Sequence, residues 1–287
     1  MRSRFLVRAL VAGAGVALVV AIAWLLLRGE PAPEAQAPQD FNPAQFVRGR
    51  TNLDAPYVVT DYEVVDAMLA LAEVRPDDYV IDLGSGDGRI LIAAARSHGA
   101  RGLGVDIDPA RIRESSANAR NAGVAHRVTF RRQNLFETPI AEADVLTLYL
   151  TAETNLRLRQ RILSQMRPGT RVVSHDFDMG DWRYDRRQRV GNATIYMWIV
   201  PARAAGRYTL IADGRTGLLT LEQGFQQLTG SLTTNGVTTR VEQGWMSGDR
   251  VRFIANLGDG RREYEGRIAG GRLESTGQRR WRADPIG

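Results

Sequence analysis

Between Asp54 and Pro201 short apolar runs alternate with stretches of helical spacing. Val64, Val65, Met68, Leu69 and Leu71 recur three and four positions apart, which predicts an amphipathic helix. Tyr79 to Leu83 is a short β-rich run. Arg89 to Ser97 reads as a helix and Leu103 to Asp106 as a strand. Pro109 to Ala122 is a second well-punctuated helix, with proline near its start and Gly123 just past its end. Val128 to Phe130 and Val145 to Leu150 predict strands. Asn155 to Met166 predicts a helix stopped by Pro168-Gly169, and strands follow at Arg171 to Ser174 and Ile195 to Val200. Alternating β and α units at this spacing predict an α/β domain over residues 51–201, with a parallel, doubly wound sheet.

Past Pro201 the period changes to two. Short alternating runs are separated by Asp213-Gly214, Asn235-Gly236, Ser247-Gly248-Asp249, Gly258-Asp259-Gly260 and Gly270-Gly271. Turns this regular predict an all-β domain over residues 205–287, a meander of seven or eight strands closed as a small barrel or sandwich. At the other end, Arg2, Arg4 and Arg8 precede an uncharged apolar stretch from Ala9 to Leu27, closed by Arg28. A helix of about 19 residues nearly matches a hydrocarbon core, so residues 1–28 read as a transmembrane anchor. A cleaved signal peptide is the competing reading, with Ala35-Gln36-Ala37 as a cleavage pattern. Residues 29–50, rich in Pro, Ala and Gln, predict an extended linker.

Composition narrows the function classes. A hydrophobic content of 44% and a charged content of 24% are those of a globular protein. The net charge of +6 invites a nucleic-acid partner, but every one of the 38 basic residues is Arg. Complete absence of Lys reads as compositional bias rather than selection of a binding face, and the arginines are scattered, so no nucleic-acid partner is expected. With no cysteine, thiolate nucleophiles, Fe–S clusters and Cys-ligated zinc are excluded. No metal site is read from the sequence.

The segment with the clearest chemistry is Asp82-Leu83-Gly84-Ser85-Gly86-Asp87-Gly88-Arg89. A glycine-rich strand-to-helix turn brings a ligand against backbone N–H groups and a helix N-terminus. A phosphate-binding P-loop needs a lysine, and the chain has none. A dinucleotide site prefers G-x-G-x-x-G, whereas here the third glycine comes one residue early. An acid two residues before the first glycine, with G-x-G-x-G spacing, suits S-adenosylmethionine, because Asp82 can meet the ammonium end of that cofactor. Asp106 ends the next strand, where a carboxylate can accept from both ribose hydroxyls. Ile107 would lie along the adenine face, and Asn134 stands where an acid or amide meets the adenine amino group. Gly84, Ser85, Gly86, Asp87 and Gly88 complete the predicted cofactor site. A lone G-x-G-x-G is also found in ordinary turns; its combination with Asp82, Asp106 and Asn134 carries the reading.

At these residues the sequence resembles a known family. Pro56-Tyr57-Val58-Val59-Thr60, the Asp82–Arg89 loop, Thr147-Leu148-Tyr149-Leu150, the Pro168–Phe177 stretch and Gly180-Asp181-Trp182 are similar to segments of the membrane-anchored protein-lysine methyltransferases that modify the ATP synthase c-subunit or the adenine nucleotide translocase, together with their bacterial relatives. The resemblance covers about residues 54–200 and not the β-rich C-terminal region. Ala152 departs from it, since proline is expected after the Tyr-Leu pair. The resemblance implies a seven-stranded Rossmann-like methyltransferase sheet, and it implies that Thr60 and Tyr57 approach the methionine end of the cofactor. Without it they read as helix N-cap and core.

Acceptor groups in such a sheet come from the carboxyl ends of the strands. Tyr149, Thr151 and Glu153 follow one strand; His175, Asp176 and Asp178 follow the next. Tyr149, His175 and Asp176 are the expected catalytic residues, with Trp182 as an apolar wall. The plainer alternatives are a His175 bonded to backbone, a Trp182 that anchors packing and a solvent-facing Glu153. Three functions remain open: methylation of a protein lysine, methylation of a small-molecule or lipid amine at the membrane, and a non-catalytic cofactor- or partner-binding module. The basic flank before the apolar segment directs the folded domains out of the cytoplasm, while cofactor supply favours the cytoplasmic face of a bacterial inner membrane.

Overall fold

The computed structural model describes residues 59–286, which lie within one compact unit of the chain. The predicted anchor, the linker and Tyr57 fall outside the described residues, and none of the helices described is long and apolar enough to cross a membrane.

Helix α1 (Tyr62–Leu71) leads into β1 (Tyr79–Leu83), α2 (Arg89–His98), β2 (Arg101–Asp106), α3 (Pro109–Asn121), β3 (Val128–Arg132), β4 (Val145–Leu148), α4 (Ala152–Gln165), β5 (Arg171–His175), β6 (Arg186–Val190) and β7 (Ala193–Ile199). These strands form a seven-stranded sheet in the order β3-β2-β1-β4-β5-β7-β6. The Rossmann-like methyltransferase fold expected from the sequence is present, with one correction. The sheet is mixed rather than parallel, because β7 runs antiparallel to β5 and β6 antiparallel to β7. β6 was invisible in the pattern: its RRQRV run is exposed almost throughout, as befits an edge strand that buries neither face.

Alternating side chains split the core into two layers. Val80, Val145 and Val173 pack with Val65, Met68 and Leu91 of α1 and α2. Ile81, Leu146 and Val172 pack on the other face with Leu158 and Ile162 of α4. This period-2 alternation against helix-covered faces explains why the strands read as continuous apolar runs. The order reverses between β1 and β4, and the ends of these neighbours define the crevice where such sheets bind ligands.

Strands β8 (Gly206–Ala212), β9 (Arg215–Gly224), β10 (Gln227–Thr234), β11 (Val237–Arg240), β12 (Glu242–Ser247), β13 (Arg250–Asn256), β14 (Arg261–Ala269), β15 (Arg272–Ser275) and β16 (Trp281–Pro285) form an antiparallel barrel. It closes through β16–β8, β8–β9 and β9–β10 pairing. β11 and β12 both pair with β10 and are separated by Val241, so they act as one bent strand of the meander. At its core Phe253 stacks on Tyr264, and Trp281 meets both rings edge-on.

Candidate active site

The glycine loop is fixed by backbone geometry first. The amides of Gly84 and Ser85 both donate to the Val105 carbonyl (2.9 Å each), which binds the end of β1 to the end of β2. Gly88, at φ +83°, begins α2, and a Cβ there would lie 2.6 Å from the Phe130 ring, so only glycine fits. Asp106 accepts from the Gly86 amide (3.1 Å) and the Asp108 amide (2.9 Å), which sets its carboxylate against the loop. Burial raises its pKa above the ordinary carboxylate value, against the pull of those two amides.

Asp82 is almost fully buried at the end of β1. The Thr147 hydroxyl, on neighbouring β4, donates to Oδ1 at 2.7 Å. Burial pushes the Asp82 carboxyl up to about 7, the Thr147 bond opposes that, and Asp106 and Asp87 add to the rise. A buried carboxylate without a cationic partner is unstable in its charged form. The site is therefore poised for a cation.

Asp87 is held differently. Its carboxylate is clamped by the Arg89 guanidinium, with contacts of 2.6 to 3.0 Å, and Arg89 also donates to the Thr60 carbonyl (2.6 Å). Asp87 thus ties the loop to the segment before α1. Asn134 turns inward on itself: its Oδ1 accepts from the Phe136 amide (3.0 Å) in an Asx turn. Ile107 projects beside Asp106 with 45% of its surface exposed, an apolar side chain left open next to a buried carboxylate.

The acceptor candidates meet beyond the ends of β4 and β5. The Tyr149 and His175 rings stack with centroids 3.9 Å apart. His175 Nδ1 lies 3.3 Å from the Thr60 hydroxyl, and Nε2 lies 3.4 Å from Asp176 Oδ2. Burial lowers the His175 pKa below its ordinary value, although Asp176 and Asp61 raise it, so the imidazole is neutral at pH 7. Burial pushes Tyr149 up to about 12, with Asp176 and Asp61 adding to the shift, so it stays a phenol. Asp176 is locked in the left-handed region at φ +60°, with its amide bonded to Thr194 O (2.7 Å) and its Oδ1 accepting from the Thr194 amide (2.8 Å). A side chain held in that region marks a position the surrounding structure over-determines. Leu150 joins the two halves, since its Cδ2 would lie 2.9 Å from a Cβ on Gly84.

The ANTKMT methyltransferase domain model matches residues 82–186. A protein-lysine N-methyltransferase of Saccharolobus islandicus is 41% identical over 150 residues, which are 50% of this chain and 93% of that protein. The chain belongs to this methyltransferase family. The adenine nucleotide translocase lysine N-methyltransferase of Mus musculus is 27% identical over 161 residues, 56% of this chain and 69% of that one. A solved structure titled as an RNA methyltransferase from Salinibacter ruber in complex with S-adenosyl-L-homocysteine is 52% identical, with a TM-score of 0.50, and covers 51% of this chain and 95% of that one. The protein is an S-adenosylmethionine-dependent methyltransferase.

The methyltransferase's own residues fit that cofactor. Among the described residues Ser85 Oγ, buried inside the glycine loop, has no hydrogen-bond partner and Asp82 has no cationic one, and Ile107 is an open apolar face beside Asp106. Other expected residues sit elsewhere. Trp182 is fully buried, stacked on Phe225 and tilted against Trp198, so it anchors packing rather than walling an acceptor. Thr151 caps α4, accepting from the Thr154 amide, and Glu153 is an exposed first-turn acid of that helix. The roles of three contributors carry no sequence signal, because their partners are remote, although Arg89 and Thr147 lie in segments that stand out in the sequence. Thr147 lies 65 residues from Asp82, and Arg89 lies 29 from Thr60. Asn155, buried in α4, donates from one amide nitrogen to both Ser174 Oγ and the Phe177 carbonyl (3.0 Å each), pinning the chain that leaves β5.

Proposed function

We propose that the methyltransferase acts on a lysine amine of a protein. The observation that carries this reading is the Tyr149–His175–Asp176 cluster: an aromatic pair beside a carboxylate, next to the donor loop. The bound cofactor supplies an electrophilic methyl group, and the protein's task is to position and deprotonate the acceptor. A lysine ammonium near pKa 10.4 resists deprotonation at pH 7 by about 4 to 5 kcal/mol. The stacked Tyr149 and His175 rings strip water from the amine and lower that cost. Asp176, more exposed than His175, attracts the incoming ammonium. Neutral His175, held between Thr60 and Asp176, receives the proton directly or through one water. On the donor side, Asp82 takes the cofactor's ammonium, Asp106 its ribose hydroxyls, and Gly84 and Gly86 let it approach the backbone; Ser85 Oγ and Ile107 complete the contact. Asn134 reaches the adenine amino group through the free lone pair of its amide oxygen. The neutral balance of Arg and acidic residues over residues 59–201 favours protein over RNA as acceptor, even though a 52% identical structure carries an RNA methyltransferase title. We further propose that residues 1–28 anchor the enzyme to a membrane whose proteins supply the lysine.

Labelled S-adenosylmethionine is incubated with the enzyme and with separated protein, RNA and lipid fractions. The reading predicts label in protein. Label confined to RNA or lipid overturns it. The chain itself contains no lysine, so lysine self-methylation cannot contribute.

A further inference from the structure

The barrel reaches into the acceptor side of the catalytic domain through one turn. β9 and β10 are joined by Phe225-Gln226, with Gly224 paired to Gln227 across the hairpin. Two other two-residue turns in the barrel, Asp213-Gly214 and Asn235-Gly236, use the residues that tolerate a left-handed first position. Here that position is a phenylalanine at φ +56°. A bulky aromatic in this region is an outlier that only tertiary contacts sustain.

Contacts with the segment that leaves β5, and with α4 beside it, surround the turn. The Phe225 ring stacks on Trp182 at an interplanar angle of 16°. The Arg159 guanidinium lies 5.3 Å over the same ring, and Arg159 donates to the Met179 carbonyl at 2.7 Å and to the Asp181 carboxylate. Gln226 is buried, and its Nε2 donates to the Arg183 carbonyl while its own carbonyl accepts from the Met246 amide (2.6 Å). Gln223 braces the hairpin from the barrel side, donating to the carbonyls of Ala202 (2.8 Å) and Phe225 (2.7 Å). Met179, Asp181, Trp182 and Arg183 are thus each held by the turn or by Arg159 beneath it. This segment begins at Asp176, and Asn155 pins its first step at Phe177.

We propose that Phe225 and Gln226 are positioning residues for methyl transfer: the barrel's turn clamps residues 177–183 and thereby fixes Asp176 at the acceptor site. The inference rests on the acceptor site proposed above. It assigns the accessory barrel a part in acceptor use. The donor loop lies across β1 and β2, away from the clamp, so cofactor affinity is set independently.

The test uses the full chain carrying Phe225→Gly or Phe225→Tyr. Glycine relieves the strained backbone, so if the residue served only its turn, Phe225→Gly would leave the enzyme unchanged or more stable. The clamp instead predicts a fall of about ten- to a hundredfold in acceptor kcat/KM, the range that misplacement of about 1 Å produces. It predicts cofactor Kd within about twofold of wild type, and recovery of acceptor kinetics in Phe225→Tyr, which keeps the ring. Hydrogen exchange adds a readout that needs no acceptor: amides from Met179 to Tyr184 exchange faster in Phe225→Gly, while those of the glycine loop do not. Wild-type acceptor kinetics and unchanged exchange in Phe225→Gly overturn the clamp. So does a parallel loss of cofactor affinity and acceptor turnover in both variants. Failure of the wild-type enzyme to methylate protein would instead sink the acceptor reading, and leave the exchange experiment standing as a test of the clamp.

Discussion

Cofactor affinity is expected to rise as Asp82 ionises. With its carboxyl pushed up to about 7 in the free enzyme, the group is mostly neutral at mildly acidic pH and cannot pair with the cofactor's ammonium. At about pH 5.5 roughly 3% is ionised, and at pH 7 about half, so an ionised-only site gains about fifteenfold in affinity across that window, or about 1.6 kcal/mol. The window stops at pH 7 because the cofactor's own amino group begins to deprotonate near 7.7 to 8. Isothermal titration calorimetry in buffers of different ionisation enthalpy gives a second reading: binding near pH 6 should release about one proton from Asp82. Asp82→Asn should flatten the pH dependence and weaken binding. The same burial has a stability consequence. The unfolded carboxyl titrates near 3.8 and the folded one near 7, so the native state holds the extra proton between these values. Stability of the free enzyme therefore falls as pH rises through that window, by up to about 4 kcal/mol above pH 7. Asp82→Asn should remove this loss and raise the Tm at pH 8 but not at pH 4. A flat affinity from pH 5.5 to 7 with no buffer-dependent heat would refute the assignment of Asp82 to the cofactor's cation.

Other outcomes follow from neighbouring contacts. Thr147→Val deletes the hydrogen bond that holds Asp82 down, and should move the midpoint of the affinity profile upward by roughly one pH unit in calorimetry. Trp182→Ala opens a cavity beside Trp198 in the catalytic-domain core and should cost about 3 to 5 kcal/mol in urea unfolding; a loss under 1 kcal/mol would contradict its role as a packing anchor. His175→Ala and Asp176→Asn should each lower kcat about a hundredfold or more while leaving cofactor Kd near wild type. The wild-type rate should fall as pH drops through the His175 value, which burial sets below 6.5, so an acidic limb above 6.5 would exclude His175 as proton acceptor. Deletion of residues 1–50 should move the enzyme from the membrane to the soluble fraction on centrifugation.

Much of the fold was legible because it follows from patterns that local chemistry enforces. Buried strands such as β1 and β4 announce themselves as apolar runs, and Pro109 and Gly123 bracket α3. The turns Asp213-Gly214 and Asn235-Gly236 gave away the barrel meander. What stayed hidden lacked a local signature. β6 is four polar residues and a valine that become a strand only by pairing with β7. The antiparallel sense of β7 depends on how the chain between β5 and β6 turns back, which no residue spacing encodes. In the site, Asp82 and Asp106 were readable because they flank a glycine loop. Thr147 and Asn155 were not, because a hydroxyl in a strand or an amide in a helix is ordinary until its distant partner is known. Trp182 shows the reverse failure: an aromatic after a strand end resembles a site wall, and only its burial against Trp198 and Phe225 reveals an anchor. Phe225 carries no turn signal, since a phenylalanine in a left-handed turn position breaks the residue preferences that mark such turns.

The central claim is that an amine of a protein lysine takes the methyl group in the Tyr149–His175–Asp176 pocket. It is tested most directly by complete hydrolysis of protein labelled by the wild-type enzyme and by Asp176→Asn, followed by amino-acid analysis of the label. The account predicts methyllysine from the wild type and about a hundredfold less from Asp176→Asn at saturating cofactor. Label recovered as methylarginine, methylhistidine or volatile ester-derived methanol, or methyllysine formed equally well by Asp176→Asn, would contradict it.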